Sequence, residues 1–161
     1  MNDITKIEKL KSNPWFDRLN EDQFDKIVSI ASEVRWPVGE VIFREGDVDH
    51  CLYLLLKGRV ALDINFPTRG RIRILTVNEN EIFGWSAFLP VVRIRTAGAH
   101  TILDSEAIVF DAAALRELCE QDHELGYYVY ERLTDVIAGR LSATRLQLLD
   151  MYAAGSEGDS S

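Results

Sequence analysis

Apolar positions recur at two different periods along this chain, and the changes of period divide it into three parts. Over residues 3–11 and 20–33 the spacing is helical, with Leu19, Phe24, Ile27, Val28 and Ala31 recurring at three and four. Asn20 with Gln23 three residues on predicts a capping box at the second helix. Trp36-Pro37-Val38-Gly39-Glu40 then breaks the pattern, and the runs become short: Val41–Arg44, Cys51–Lys57, Val60–Asn65, Arg71–Val77, Thr96–Leu103 and Glu106–Phe110. Their separators, among them Glu45-Gly46-Asp47, Lys57-Gly58-Arg59 and Pro67-Thr68-Arg69-Gly70, suit tight turns. Arg71-Ile72-Arg73-Ile74 alternates, which sets both arginines on one face of a strand. Many short strands at this spacing predict a closed or rolled antiparallel β structure. Beyond Asp111, read as an N-cap, the period is helical through Gln121 and again from His123 to about Met151. The small, polar residues 153–161 are expected to form a disordered tail, leaving residues 1–152 as one domain.

The last helical stretch carries apolar residues on two faces. Tyr130, Thr134, Ile137, Leu141, Thr144, Leu148 and Met151 alternate by four and three, as in a heptad seam. Leu125, Val129, Leu133 and Val136 form a second stripe beside it. One face is expected to pack on the β structure and the other, over Tyr130–Met151, to form a homodimer.

Composition narrows the chemistry. The 161 residues are 47% hydrophobic and 27% charged, as in an ordinary globular domain. A formal charge of −8 argues against broad nucleic-acid binding, which needs a basic face. No window approaches a membrane span and the start Met1-Asn2-Asp3-Ile4-Thr5-Lys6 lacks a secretory apolar region, so a cytoplasmic protein without membrane contact is expected. Cys51 and Cys119 lie in apolar periodic segments and read as reduced thiols. His50, His100 and His123 share no metal spacing, so no metal site is expected. Asp104 and Glu106 read as turn and strand-edge charges, no catalytic cluster stands out, and no enzyme is expected.

The segment that carries chemistry is Glu81-Ile82-Phe83-Gly84-Trp85-Ser86-Ala87-Phe88 with Arg93-Ile94-Arg95-Thr96-Ala97. A strand-like run ends in a glycine and opens a short helical turn, and an arginine follows before a hydroxyl residue and an alanine. Backbone N–H groups at such a turn, joined by a guanidinium, suit a phosphate. The pattern resembles the phosphate-binding cassette of cyclic-nucleotide-binding domains, usually Phe-Gly-Glu-x-Ala-Leu followed by Arg-Thr-Ala or Arg-Ser-Ala. Phe43-Arg44-Glu45-Gly46-Asp47 and Leu54-Leu55-Leu56-Lys57-Gly58-Arg59-Val60 resemble further landmarks of the Crp/Fnr type, and the match runs from about residue 12 to 150.

The resemblance implies an α+β, mainly β fold: a jelly-roll-like antiparallel β-roll with N-terminal helices and a long C-terminal helix. It implies a small-ligand sensor or regulatory module with Phe83, Gly84, Trp85, Ser86, Ala87, Arg95, Thr96, Ala97 and Arg140 as ligand-binding residues. Arg95 would pair with a phosphate, and Arg140 would fall where relatives contact the base. Trp85 stands where the family's glutamate accepts a hydrogen bond from the ribose 2′-hydroxyl, and indole offers no comparable acceptor. The expected ligand is therefore a weakly held cyclic nucleotide or another small phosphorylated molecule, with no other cofactor. The alternative is a ligand-free dimeric protein-interaction module that keeps the roll only as a scaffold for its dimer helix; in either case an unidentified downstream protein is the expected partner. The family's transcription factors continue into a helix-turn-helix reader; this sequence stops at the long helix, so no direct DNA binding is expected.

Overall fold

The computed structural model describes residues 3–48 and 50–157. Helix α1 (Asp3–Lys11), a 3-10 turn at Pro14–Phe16 and helix α2 (Glu21–Ser29) lead into the β structure. The capping box at α2 is present: Asn20 accepts from the Gln23 N–H at 2.8 Å, and Gln23 accepts from the Asn20 N–H at 3.1 Å. The helix stops at Ser29, however, and not at residue 33. Ala31–Trp36 is strand β1, paired along its whole length with strand β8 (Ser105–Asp111) from Ala31↔Phe110 to Trp36↔Ser105. Ala31 fits either period, so the helical count ran past the true end. The pairing that decides the matter comes from a partner strand far along the chain, Ala31 pairing with Phe110 and Trp36 with Ser105.

The remaining strands are β2 (Val41–Phe43), β3 (Cys51–Lys57), β4 (Val60–Phe66), β5 (Gly70–Val77), β6 (Ile82–Phe83) and β7 (Gly98–Thr101). They form two four-stranded antiparallel sheets, ordered β1-β8-β3-β6 and β2-β7-β4-β5. The expected strand over Thr96–Leu103 is shorter, and Thr96 and Ala97 lie ahead of it in a loop. Helix α3 (Ala112–Gln121) starts at Asp111, whose carboxylate accepts from the Ala114 N–H at 2.8 Å.

Strand β3 explains its own nearly continuous apolar run, because it has a core on each side. Leu52 and Leu54 face the helices, where they meet Phe16, Phe24, Ile27 and Phe110. Tyr53 and Leu55 face the interior of the roll, with Phe43, Val60, Leu62 and Phe83.

Helix α4 (His123–Glu157) lies across this body. Leu125, Val129 and Leu133 are buried in the first core, as the second stripe predicts. The Tyr128 hydroxyl donates to the Trp15 carbonyl, and Arg132 Nη2 donates to Pro14 O at 3.2 Å. Farther along, Gln147 Nε2 donates to Arg73 O of β5 at 3.1 Å, so the helix is tied to the lead-in region and to the roll. It also runs past Met151: residues 153–157, expected in a disordered tail, are helical, since Ala153 and Ala154 favour helix and no proline stops it. Residues 158–161 of that expected tail lie outside the described residues. Among the described residues no helix is long and apolar enough to cross a membrane.

Candidate functional site

Strand β6 ends at Gly84, whose φ of 78° and ψ of 25° are left-handed. That turn aims the next residues into a 3-10 turn, Trp85–Ala87. The N–H of Ala87 donates to Gly84 O at 3.3 Å and that of Phe88 to Trp85 O at 3.0 Å. The N–H groups of Trp85 and Ser86, at the start of the turn, have no acceptor within it by construction. A side chain at 84 would meet more than an unfavourable φ. Its Cβ would stand 2.9 Å from Arg95 Nη1 and 3.1 Å from Cys51 O. Gly84→Ala is accordingly expected to cost about 2–3 kcal/mol in urea denaturation, the left-handed penalty plus displacement of a buried guanidinium. A loss under about 0.5 kcal/mol would show that the glycine is incidental.

Arg95 is only 2% exposed. Its backbone is laced to the turn after β2, the N–H donating to Asp47 O at 2.8 Å and the carbonyl accepting from Gly46 at 2.9 Å. Its guanidinium turns onto the protein itself. Nη1 donates to Gly84 O at 2.6 Å and to Ser86 Oγ at 3.3 Å, and Nη2 donates to Cys51 O at 2.6 Å. The Phe43 ring lies beneath it, with 4.1 Å from Cζ to the ring centroid. The sequence marks Phe43 as part of a turn landmark and not as a residue of the site. Inward alternation along β2 was the available signal, but the contact itself depends on how β2 registers against β7.

Arg140 approaches from α4, and its Nη2 donates to the Ile82 carbonyl. Burial pushes its pKa down to about 10 against the opposing pull of Glu81, so this cation is held in a poorly solvated place. Between the two arginines lies a cavity of about 30 Å³. Gly84, Trp85, Ser86, Arg95, Thr96, Ala97 and Arg140 line it, together with Phe43 and Leu62. The expected site residues Phe83 and Ala87 sit elsewhere. Phe83 is fully buried among the roll's aromatics, its ring 5.0 Å from that of Tyr53, and the Ala87 N–H closes the 3-10 turn. Trp85 both walls the cavity and packs against the helical core.

The cavity's size decides what it holds as folded. About 10–15 Å³ of such volume admits one water, whereas sites for small organic ligands run to about 300–1,000 Å³. Trp85 and Arg140 stand among the side chains that line this small space.

Elsewhere, Cys51 and Cys119 form no disulfide, and burial raises the Cys119 thiol to about 11, which keeps it protonated and unreactive. Among the described residues no three His, Cys, Asp or Glu side chains gather as metal ligands.

Comparison with known proteins agrees with this architecture. The family model described as "Cyclic nucleotide-binding domain" matches residues 33–122. A CRP-like cAMP-activated global transcriptional regulator of Mycobacterium tuberculosis is 33% identical over 120 residues, which are 73% of this chain and 50% of that protein. The cyclic AMP receptor protein of Thermus thermophilus is 29% identical over 133 residues, covering 78% of this chain and 60% of that one. The chain thus spans about half the length of the curated relatives it matches. Among solved structures, the catabolite activator protein of Thermus thermophilus superposes with a TM-score of 0.68 at 25% identity, over 87% of this chain and 63% of that one. A cyclic nucleotide-binding domain from Methylobacillus flagellatus, 22% identical, shares the fold with a TM-score of 0.76 over 90% of this chain and 81% of that one.

Proposed function

The chain belongs to the cyclic nucleotide-binding domain family, and from that premise we propose that it is a dimeric regulatory module whose nucleotide position is closed from within. One observation carries the reading. The cassette surrounds about 30 Å³, and both of its arginines donate to the protein's own carbonyls. A cyclic phosphate would compete with Gly84 O and Cys51 O for Arg95, and a base would compete with Ile82 O for Arg140. The 2′-hydroxyl would then find indole in place of a carboxylate. Loss of that charge-assisted hydrogen bond alone costs about 1.5–3 kcal/mol, roughly ten- to 150-fold in affinity. The module accordingly acts through its surfaces, with cAMP bound weakly or not at all.

A second reading keeps the sensor role with a smaller ligand. It rests on the left-handed Gly84, the turn's N–H groups and Arg95, which together remain suited to an anion. A thermal-shift screen with cyclic mononucleotides and small phosphorylated metabolites separates the two, because ligand at a hundred times its Kd adds about 2.7 kcal/mol. The closed-module reading expects no shift with the cyclic mononucleotides and none that depends on the cassette; a shift with a compact phosphate ester that is lost in Thr96→Ala, a change in the cassette's own lining, supports the second reading.

The surface we assign to dimerisation is the outer stripe of α4. Leu141 and Leu148 are more than half exposed, whereas Leu125, Val129 and Leu133 of the neighbouring stripe are buried against the body. The two threonines within the stripe satisfy their own hydroxyls, Thr134 on Tyr130 O and Thr144 on Arg140 O, each at 2.7 Å. A second copy of the same helix is the occupant that suits a heptad-spaced stripe. Glutamate at Ile137 or Leu141 is expected to shift sedimentation towards the monomer, since an unpaired charge is costly to bury. Wild-type sedimentation by both folded variants would remove the seam from the account.

A further inference from the structure

We propose that the outer face of the second sheet carries a separate binding site, for a small dipolar molecule bearing an anionic group at one end and an amine at the other. A cavity of about 480 Å³ opens there, within the range of small-molecule sites. Its floor is Gly98 of β7 and Asp63 of β4, paired in register. Asp63 is only 4% exposed, an unusual place for a carboxylate. Its Oδ2 bonds to His100 Nδ1 at 2.9 Å, which fixes the group against the sheet. Oδ1 lies over the bare backbone of Gly98, where a Cβ would stand 2.7 Å from it. A side chain at 98 would thus push this carboxylate aside and fill the floor. Phe43 separates the cavity from the cassette and lines both.

The walls supply the opposite charge. Arg44, at the end of β2, and Arg71, on β5, line the cavity, are exposed, and make no ion pair among the described residues. Glu45, also on the wall, is already engaged: its Oε2 accepts from the Asn65 N–H at 2.7 Å, which ties the turn after β2 to β4. The free poles of the site are therefore two guanidinium groups at the mouth and one carboxylate oxygen at the floor. A simple anion would be drawn to the arginines but face Asp63 and Glu45, and the chain's net charge of −8 opposes its approach. A simple cation would face two guanidiniums. A molecule with a phosphate and an amine is favoured at both ends, the phosphate by bidentate arginine and the amine by the buried carboxylate.

Glucosamine 6-phosphate and glucose 6-phosphate test this directly, since they differ by the amine. In calorimetry the wild-type chain is expected to bind the amino sugar at least tenfold more tightly. The double variant Arg44→Gln/Arg71→Gln, altered only at exposed positions, should lose at least tenfold for both sugars. Asp63→Asn should lose the preference between them. Because Asp63→Asn also removes a partner from His100, the exposed double variant keeps the test valid if that protein unfolds. Equal binding of the two sugars, binding untouched by the arginine changes, or no binding of glucosamine 6-phosphate at about 10 mM would each overturn the proposal.

Discussion

Replacement of Arg95 by alanine is expected to lower the stability of the folded chain by about 3–5 kcal/mol, an effect on folding before any effect on binding. The guanidinium joins three segments that are distant in sequence: Cys51 O at the start of β3, Gly84 O after β6, and the Phe43 ring on β2. Without it two inward-facing carbonyls lose their donor, at about 1–3 kcal/mol each, and the stacked ring loses its cation. Lysine is not expected to rescue, because a single ammonium cannot reproduce a planar fork that reaches two carbonyls at once. Urea denaturation measures this as a fall in midpoint at unchanged slope. A loss below about 1 kcal/mol would mean that the guanidinium is loosely held and remains available to a ligand.

How much of this was legible beforehand depended on the range of each interaction. The capping box of Asn20 and Gln23 and the cap at Asp111 are local, and both could be read from a few residues. Strand β3 was bounded correctly because its apolar run is flanked by clear breaks. Strand β1 was not, because Ala31-Ser32-Glu33 continues a helical count and only the ladder to β8 makes it a strand. The cassette was legible as a motif: the glycine, the turn and the arginine stand in order in the sequence. Its closure was not. That Arg95 turns onto Cys51 and that Arg140 reaches Ile82 depends on the registers of β3, β6 and β7 and on where α4 crosses them. No local pattern encodes such crossings. The Asp63–His100 pair escaped notice for the same reason, since the two residues become neighbours only when β4 pairs with β7.

The second large effect concerns Trp85. Trp85→Glu removes the indole that walls the cavity and places a carboxylate where the family keeps one, so it is expected to raise cAMP affinity by at least tenfold over the wild type. The same change removes a ring that packs on the helical core, and the variant should be somewhat less stable even as it binds better. Affinity and stability moving in opposite directions is the signature of a tryptophan that occupies a ligand's place. A Trp85→Glu protein that folds but gains no affinity would mean that Arg140 alone keeps the pocket shut. In that case the additional change Arg140→Ala, which frees the Ile82 carbonyl and opens the wall contributed by α4, is expected to restore the gain.

The most direct test of the closed cassette is calorimetry of the wild-type chain with cAMP. With about 30 Å³ of space and both arginines engaged by the protein, no saturable heat is expected at ligand concentrations up to about 1 mM. A Kd below about 1 μM would contradict the account, because affinity of that order requires a pocket that opens readily and a Trp85 that serves the ligand instead of excluding it.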